Sequence, residues 1–99
     1  MILESVILTL RPGEENAFEK AMHEAAPLIQ ASPGFLGMEV RRCIETPNQY
    51  LLLVRWARLE DHTEGFRGSA RYRDWRAKLH HFYEPFPTVE HYAAPFLSA

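Results

Sequence analysis

Apolar and polar residues alternate along this chain in two periods, which divide it into strands and helices. Four segments have the pattern of strands: residues 1–10, 35–44, 50–56 and 88–92. Apolar residues three and four apart predict one helix from residue 14 to about 31, and further helical turns between residues 59 and 82. Pro27 lies inside the first helical pattern. We expect it to bend or end that helix, because proline has no backbone N–H.

The order strand, helix, strand, strand, helices, strand predicts a single α+β domain over residues 1–99. Its expected core is an antiparallel ferredoxin-like βαββαβ sheet with the helices on one face. The strands at 1–10 and 50–56 are apolar on both sides, so the second face of the sheet would stay uncovered in a monomer. A large exposed apolar face is unusual, and the pattern therefore predicts a homodimer packed sheet to sheet. The apolar tail at 93–99 is also expected to dock on the protein.

Composition and charge exclude several functions. The formal net charge is −2, which argues against nucleic acid and anionic membranes as partners. The longest apolar run, Leu51–Val54, falls far short of the ~20 residues of a membrane helix, and no signal peptide is evident. The only cysteine, Cys43, has no internal disulfide partner. We therefore expect a soluble cytoplasmic protein, with the arginine-rich stretch 67–78 as a solvated helix face.

The second helical stretch carries the residues with chemical potential. His62 and Phe66 lie one turn apart, and Ser69 has the character of a helix N-cap. After it, one apolar stripe runs through Tyr72, Trp75, Leu79 and Phe82. A histidine beside several aromatic rings predicts either a flat aromatic pocket or a tightly packed core. The imidazole exchanges a proton near neutral pH, or else serves only as a structural tie.

Several short motifs, taken in their order and spacing, resemble the antibiotic biosynthesis monooxygenase (ABM) domain family. They are Arg11–Glu14, Ser32–Phe35, Trp56, Glu60–His62, Phe66, Ser69, Tyr72 and Trp75. The resemblance covers roughly residues 1–92. It implies a dimeric α/β barrel with a ligand pocket between each sheet and its own helices. It also implies, as the leading activity, oxidation of a small aromatic or phenolic polyketide-like compound with O₂ and without a cofactor.

Within that interpretation we assign roles to individual side chains. His62, helped by Tyr72, is the predicted catalytic residue that removes a proton from the substrate. The predicted substrate contacts are Trp56, Phe66, Trp75, Arg76 and His91. Alternation puts His91 and Tyr92 on opposite faces of the last strand, one toward the pocket and the other toward the dimer side. No metal site is predicted, since His80 and Glu84 would supply only two ligands.

Three alternatives remain open at this stage. The chain could be a small-ligand binder without catalysis, a heme-degrading monooxygenase or an isomerase. The heme-degrading branch of the family has an asparagine on the first strand, a tryptophan near residue 66 and a histidine on the last helix. This chain has Val6, Phe66 and Arg76 or Trp75 at those places, which argues against heme. His80 lies one turn further on.

Overall fold

The computed structural model describes residues 1–99 as one antiparallel sheet with its helices on one face. Its elements are β1 (Ile2–Thr9), α1 (Glu15–Gln30), β2 (Phe35–Arg42), β3 (Gln49–Trp56), a π-helix (Asp61–Phe66), α2 (Ala70–Leu79), a 3₁₀-helix (His80–Phe82) and β4 (Val89–Tyr92). The strands lie in the order β2-β3-β1-β4. The predicted ferredoxin-like α+β fold is therefore confirmed.

The central strand β1 determines which side chains meet in the core. It pairs with β3 from Ile2 opposite Trp56 to Thr9 opposite Gln49. On its other side it pairs with β4, where Glu4 stands opposite His91. Alternation turns one face of each strand toward the helices. The buried residues of that face are Glu4, Val6 and Leu8 of β1 and Tyr50, Leu52, Val54 and Trp56 of β3.

Helix α1 packs on this sheet along its predicted apolar stripe, and it passes through Pro27 to Gln30. Pro27 therefore does not end the helix early. Pro27 and His23 both lie on the exposed face, where water can reach the carbonyl that the missing N–H leaves free. The buried stripe on the other face, which includes Ala25 and Ile29, holds the helix to the sheet on both sides of the proline.

A β-bulge between Phe35 and Gly37 changes the predicted faces of β2. Strict alternation over residues 35–44 predicts that Leu36, Met38, Val40 and Ile44 share one face. Instead Phe35 packs against the core with those two residues, and Leu36 is exposed. The bulge inserts one residue and so inverts the alternation at its N-terminal side. Ile44, predicted at the end of the same face, lies beyond the strand and is exposed.

The stretch that follows β3 begins with a π-helix. Its wider turn is visible in the bond from the Arg67 N–H to the His62 carbonyl, five residues apart at 3.1 Å. His62 and Phe66 are both buried, whereas Leu59, three residues before His62, is 39% exposed. The predicted N-cap is confirmed, because Ser69 Oγ accepts a hydrogen bond from the Tyr72 N–H.

The surface retains several large apolar side chains. Phe96 and Leu97 of the tail are exposed, so the predicted docking of the tail does not occur within one chain. On the sheet face opposite the helices, Ile7 and Tyr92 are also more than half exposed. None of the helices combines the length and the apolar character that crossing a membrane requires.

Candidate active site

A cavity of about 420 Å³ lies between the sheet and the second helical stretch. Ten of its fifteen lining residues are hydrophobic, so its walls suit an apolar ligand with few polar groups. The polar groups of the lining include the side chains of Glu4, His62, Arg67 and His80 and the hydroxyl group of Tyr72. Glu4 belongs to β1, and His62 and Arg67 belong to the π-helix and its C-terminal end. Tyr72 lies on α2, and His80 begins the 3₁₀-helix that follows it.

Glu4 is a buried carboxyl group on the sheet floor of the cavity. The Trp56 Nε1–H donates a hydrogen bond to its Oε1 at 2.9 Å, and His62 Nε2 lies 3.5 Å from the same oxygen. Burial raises the pKa of Glu4, although the hydrogen bond from Trp56 and the charge of Arg67 act in the other direction. Sequence reasoning missed this residue. The available signal was that Glu4 shares the alternation of Val6 and Leu8, which face the core.

His62 is only 3% exposed and is held from three sides. Its ring stacks on Trp56, with centroids 5.3 Å apart and planes inclined by 15°. Its Nδ1 lies 2.7 Å from His91 Nε2, so the two imidazoles share one hydrogen. Burial, with added repulsion from Arg67 and His91, lowers the pKa of His62 to about 3. The ring is therefore neutral near pH 7 and can accept a proton.

The remaining predicted site residues divide into two groups. Phe66, Tyr72 and Trp75 line the cavity as predicted. Trp56 does not reach the cavity wall, because it is fully buried behind His62 at the end of β3. His91 also lies behind His62 and touches it rather than the cavity.

Arg76 is a further predicted contact that does not line the cavity. It lies on the exposed side of α2, and its guanidinium carbon lies 6.0 Å from the centroid of the Tyr72 ring. The arginine that lines the cavity is Arg67, at the C-terminal end of the π-helix. The π-helical turn places Arg67 beside His62, which a regular helical period does not anticipate.

The opposite part of the cavity is lined by His80 and Tyr83. Burial and the charge of Arg76 lower the pKa of His80, and burial raises the pKa of Tyr83. Both side chains are thus neutral near pH 7. No three His, Cys, Asp or Glu side chains of the chain are arranged to hold a metal ion.

A second cavity, about 360 Å³, lies between α1 and β2. Three of its polar side chains are paired with one another, since the Tyr50 hydroxyl donates to Glu19 and Arg42 lies 3.9 Å from the same carboxylate. Burial and the bond to Glu19 raise the pKa of Tyr50 to about 12. The first cavity is the better site for chemistry, because its histidine and carboxyl group face an open apolar space.

The chain is similar to known proteins in sequence and in fold. The family model described as Antibiotic biosynthesis monooxygenase matches residues 1–78. The uncharacterized protein YczJ of Bacillus subtilis (strain 168) is 50% identical over 92 residues, which cover 93% of this chain and 97% of YczJ.

Two solved structures are similar over nearly their full length. A candidate antibiotic biosynthesis monooxygenase from Bordetella bronchiseptica superposes with a TM-score of 0.90 at 32% identity, covering 96% of this chain and 97% of its own. SnoaB, a cofactor-independent oxygenase from Streptomyces nogalater, has a TM-score of 0.79 at 17% identity, covering 97% and 94% of the two chains. At that identity the likeness to SnoaB extends to the fold alone.

Proposed function

Because the chain belongs to the antibiotic biosynthesis monooxygenase family, we propose that it is a cofactor-independent monooxygenase of a small aromatic or phenolic, polyketide-like compound. One observation carries the proposal: a buried neutral histidine, His62, stands beside Glu4 at the polar part of a largely apolar cavity. Oxidation by O₂ without a cofactor requires the substrate itself to supply electrons. A substrate does so far more readily once a base has removed a proton from it.

His62 is the proposed base. In the tautomer in which the Nδ1–H of His62 donates to His91 Nε2, Nε2 of His62 is unprotonated and accepts a proton from a phenolic O–H or from an acidic C–H beside an aromatic ring. The electron pair of that bond stays on the substrate. The resulting anion gives electrons to O₂ and a C–O bond forms. The second C–H bond of the CH₂ group and the O–O bond then break, which leaves C=O on the substrate and releases the second oxygen atom with two protons as water. Carbon loses four electrons and O₂ gains four, so no other oxidant or reductant is needed.

The other lining residues fit the same substrate class. The rings of Phe66 and Trp75 lie nearly perpendicular at 5.7 Å, an arrangement that presents both a face and an edge to an aromatic ligand. Tyr72 adds a hydroxyl group that can orient a phenolic oxygen. Arg67 has no carboxylate within salt-bridge distance and is free to stabilise a substrate anion.

We also propose that the active form is a cytoplasmic homodimer. The sheet face opposite the helices exposes Ile7 and Tyr92, and a second copy packed on that face would remove them from water. An interface of more than ~1,000 Å² is expected for a stable dimer of this kind.

The test is an aerobic reaction of chelator-treated protein with an anthrone-type substrate. An oxygen electrode measures the O₂ consumed, and mass spectrometry identifies the product. We expect equal amounts of O₂ consumed and quinone formed, with one labelled oxygen atom in the product when ¹⁸O₂ is used. An aromatic compound that copurifies and binds but is never oxidised would instead favour the binding-protein alternative.

The heme-degrading alternative has a separate test. His80 lines the cavity and is the residue that could serve as an axial ligand there. We expect heme titration to give no Soret band that depends on His80. A band that disappears in a His80→Ala variant would show that heme binds and would replace the proposal.

A further inference from the structure

A carboxyl group and two imidazoles form a continuous row that begins at the cavity wall with Glu4 and His62 and ends behind it at His91. The pairing of β1 with β4 places Glu4 directly opposite His91 on the sheet. The π-helix lays His62 over both, with Nε2 at 3.5 Å from Glu4 Oε1 and Nδ1 at 2.7 Å from His91 Nε2. Hydrogen-bonded imidazoles at this separation exchange the shared proton without moving apart.

This row of three side chains runs from the buried cavity toward the edge of the sheet. Glu4 and His62 are almost completely buried, whereas His91 is only partly buried and stands on the edge strand β4. No protein group bonds to Nδ1 of His91. The one cation that acts electrostatically on all three groups is Arg67, at the end of the π-helix. Burial and the charge of Arg67 lower the pKa of both His62 and His91, so a proton taken up by His62 leaves His91 in turn for water.

A base in this buried position needs a neighbouring group to which it can pass on the proton that it accepts. An imidazolium confined at His62 would be buried beside Arg67, which is energetically unfavourable. If the proton on Nδ1 passes to His91 as Nε2 takes up the substrate proton, His62 remains neutral throughout. The positive charge then reaches the more exposed ring.

We infer that His91 is a proton-relay residue, which connects His62 at the cavity to solvent at the edge of the sheet. The geometry alone supports a proton path through His91, whereas the role of that path in catalysis rests on the proposed function. His91 acts through His62 and does not touch the cavity.

The proton balance of the relay is complete. The substrate O–H or C–H bond breaks, its electron pair stays on the substrate, and the proton bonds to His62 Nε2. The Nδ1–H bond of His62 breaks as the Nε2–H bond of His91 forms, and the Nδ1–H proton of His91 passes to water. When the O–O bond breaks, the leaving oxygen atom becomes water with two protons: one comes from the second C–H bond of the oxidised carbon, and the other returns along the same path and restores both rings.

The first test needs no substrate. In protein labelled with ¹⁵N-histidine, transfer of saturation from water to the ring N–H of His62 measures how fast that proton exchanges. A relay predicts that His91→Gln slows the exchange roughly 10²-fold, as for the loss of a proton-transfer group, because an amide can hold the hydrogen bond but cannot pass a proton on. His91→Asn serves as the second variant, and exposed His81→Gln is the matched control, with unchanged exchange.

Exchange in His91→Gln that is as fast as in the wild type, or faster, would overturn the relay, since a merely structural bond would only open more easily. The second test is turnover of the anthrone-type substrate, where the relay predicts a kcat lowered by about 10²-fold with KM unchanged. A rise in KM alone would also overturn it. If the wild type oxidises no such substrate, the proposed function fails while the exchange rate still decides the relay.

Discussion

At the scale of single residues, burial changes the two acid–base groups of the site in the direction that keeps both uncharged. It lowers the pKa of His62 to about 3 and raises the pKa of Glu4. The Nε1–H of Trp56 partly offsets the cost at Glu4. A site that excludes water in this way costs stability and strengthens every electrostatic interaction with a bound anion.

The low pKa of His62 predicts how stability depends on pH. Unfolded His62 binds a proton below about 6.5, whereas the folded protein binds it only near 3, so the unfolded state holds more protons in that window. The free energy of unfolding should therefore fall as pH drops from 6.5 toward 3, by up to about 1.4 kcal/mol per pH unit from this residue. Urea unfolding at several pH values should show a smaller fall in His62→Gln. Exposed His81→Gln is the control, and equal slopes in His62→Gln and wild type would contradict the pKa assignment.

Local spacing predicted part of this site and could not predict the rest. His62, Phe66, Tyr72 and Trp75 lie within fourteen residues of one another, so a helical period brings them together. Glu4 and His91 lie at opposite ends of the chain, and only the pairing of β1 with β4 brings them into contact. That long-range register is absent from any local pattern.

At the scale of elements, the π-helix is the feature that determines the site. It turns His62 onto Trp56 and Arg67 toward the cavity, where an ordinary α-helical turn was expected. Its start is tied to the preceding sheet. Asp61 Oδ2 accepts a hydrogen bond from the Arg58 N–H at 3.1 Å, and the Asp61 side chain lies against Gly34.

Gly34 and Gly13 provide a matched pair to test that connection. Both have positive φ, 84° and 89°, so replacement by alanine should cost each about 1–2 kcal/mol of stability. A Cβ at residue 13 would meet nothing, whereas one at residue 34 would collide with the Asp61 side chain. Chemical denaturation should therefore show a greater loss of stability for Gly34→Ala than for Gly13→Ala. Equal losses would mean that Asp61 gives way freely and does not anchor the π-helix.

At the scale of the whole molecule, the two faces of the sheet differ in whether the chain itself covers their apolar side chains. One is covered by helices and encloses the cavity, while the other exposes apolar side chains that the fold of one chain leaves in water. The alternation of β1 and β3 was sufficient to predict both faces. It was not sufficient to predict the bulge in β2, beside which Leu36 is exposed.

The proposed dimer predicts that Ile7→Glu makes the protein monomeric. Ile7 is 56% exposed near the middle of the open face, where a buried carboxylate would oppose its counterpart across a two-fold interface. Light scattering coupled to gel filtration should give twice the chain mass for the wild type and the single mass for Ile7→Glu. Ile44→Glu is the control, because Ile44 is 92% exposed in the turn after β2 and should leave the dimer intact. A monomeric wild type at micromolar concentration would contradict the proposal.

The central claim is that His62 acts on a substrate, and the most direct measurement is turnover of an anthrone-type substrate per folded molecule of His62→Ala. We expect a loss of about 10²–10⁴-fold, the usual contribution of a general base, with the folded fraction measured on the same sample by denaturation. His81→Ala should retain the wild-type rate. If His62→Ala instead loses stability while its rate per folded molecule is unchanged, His62 is a structural residue and the catalytic assignment is wrong.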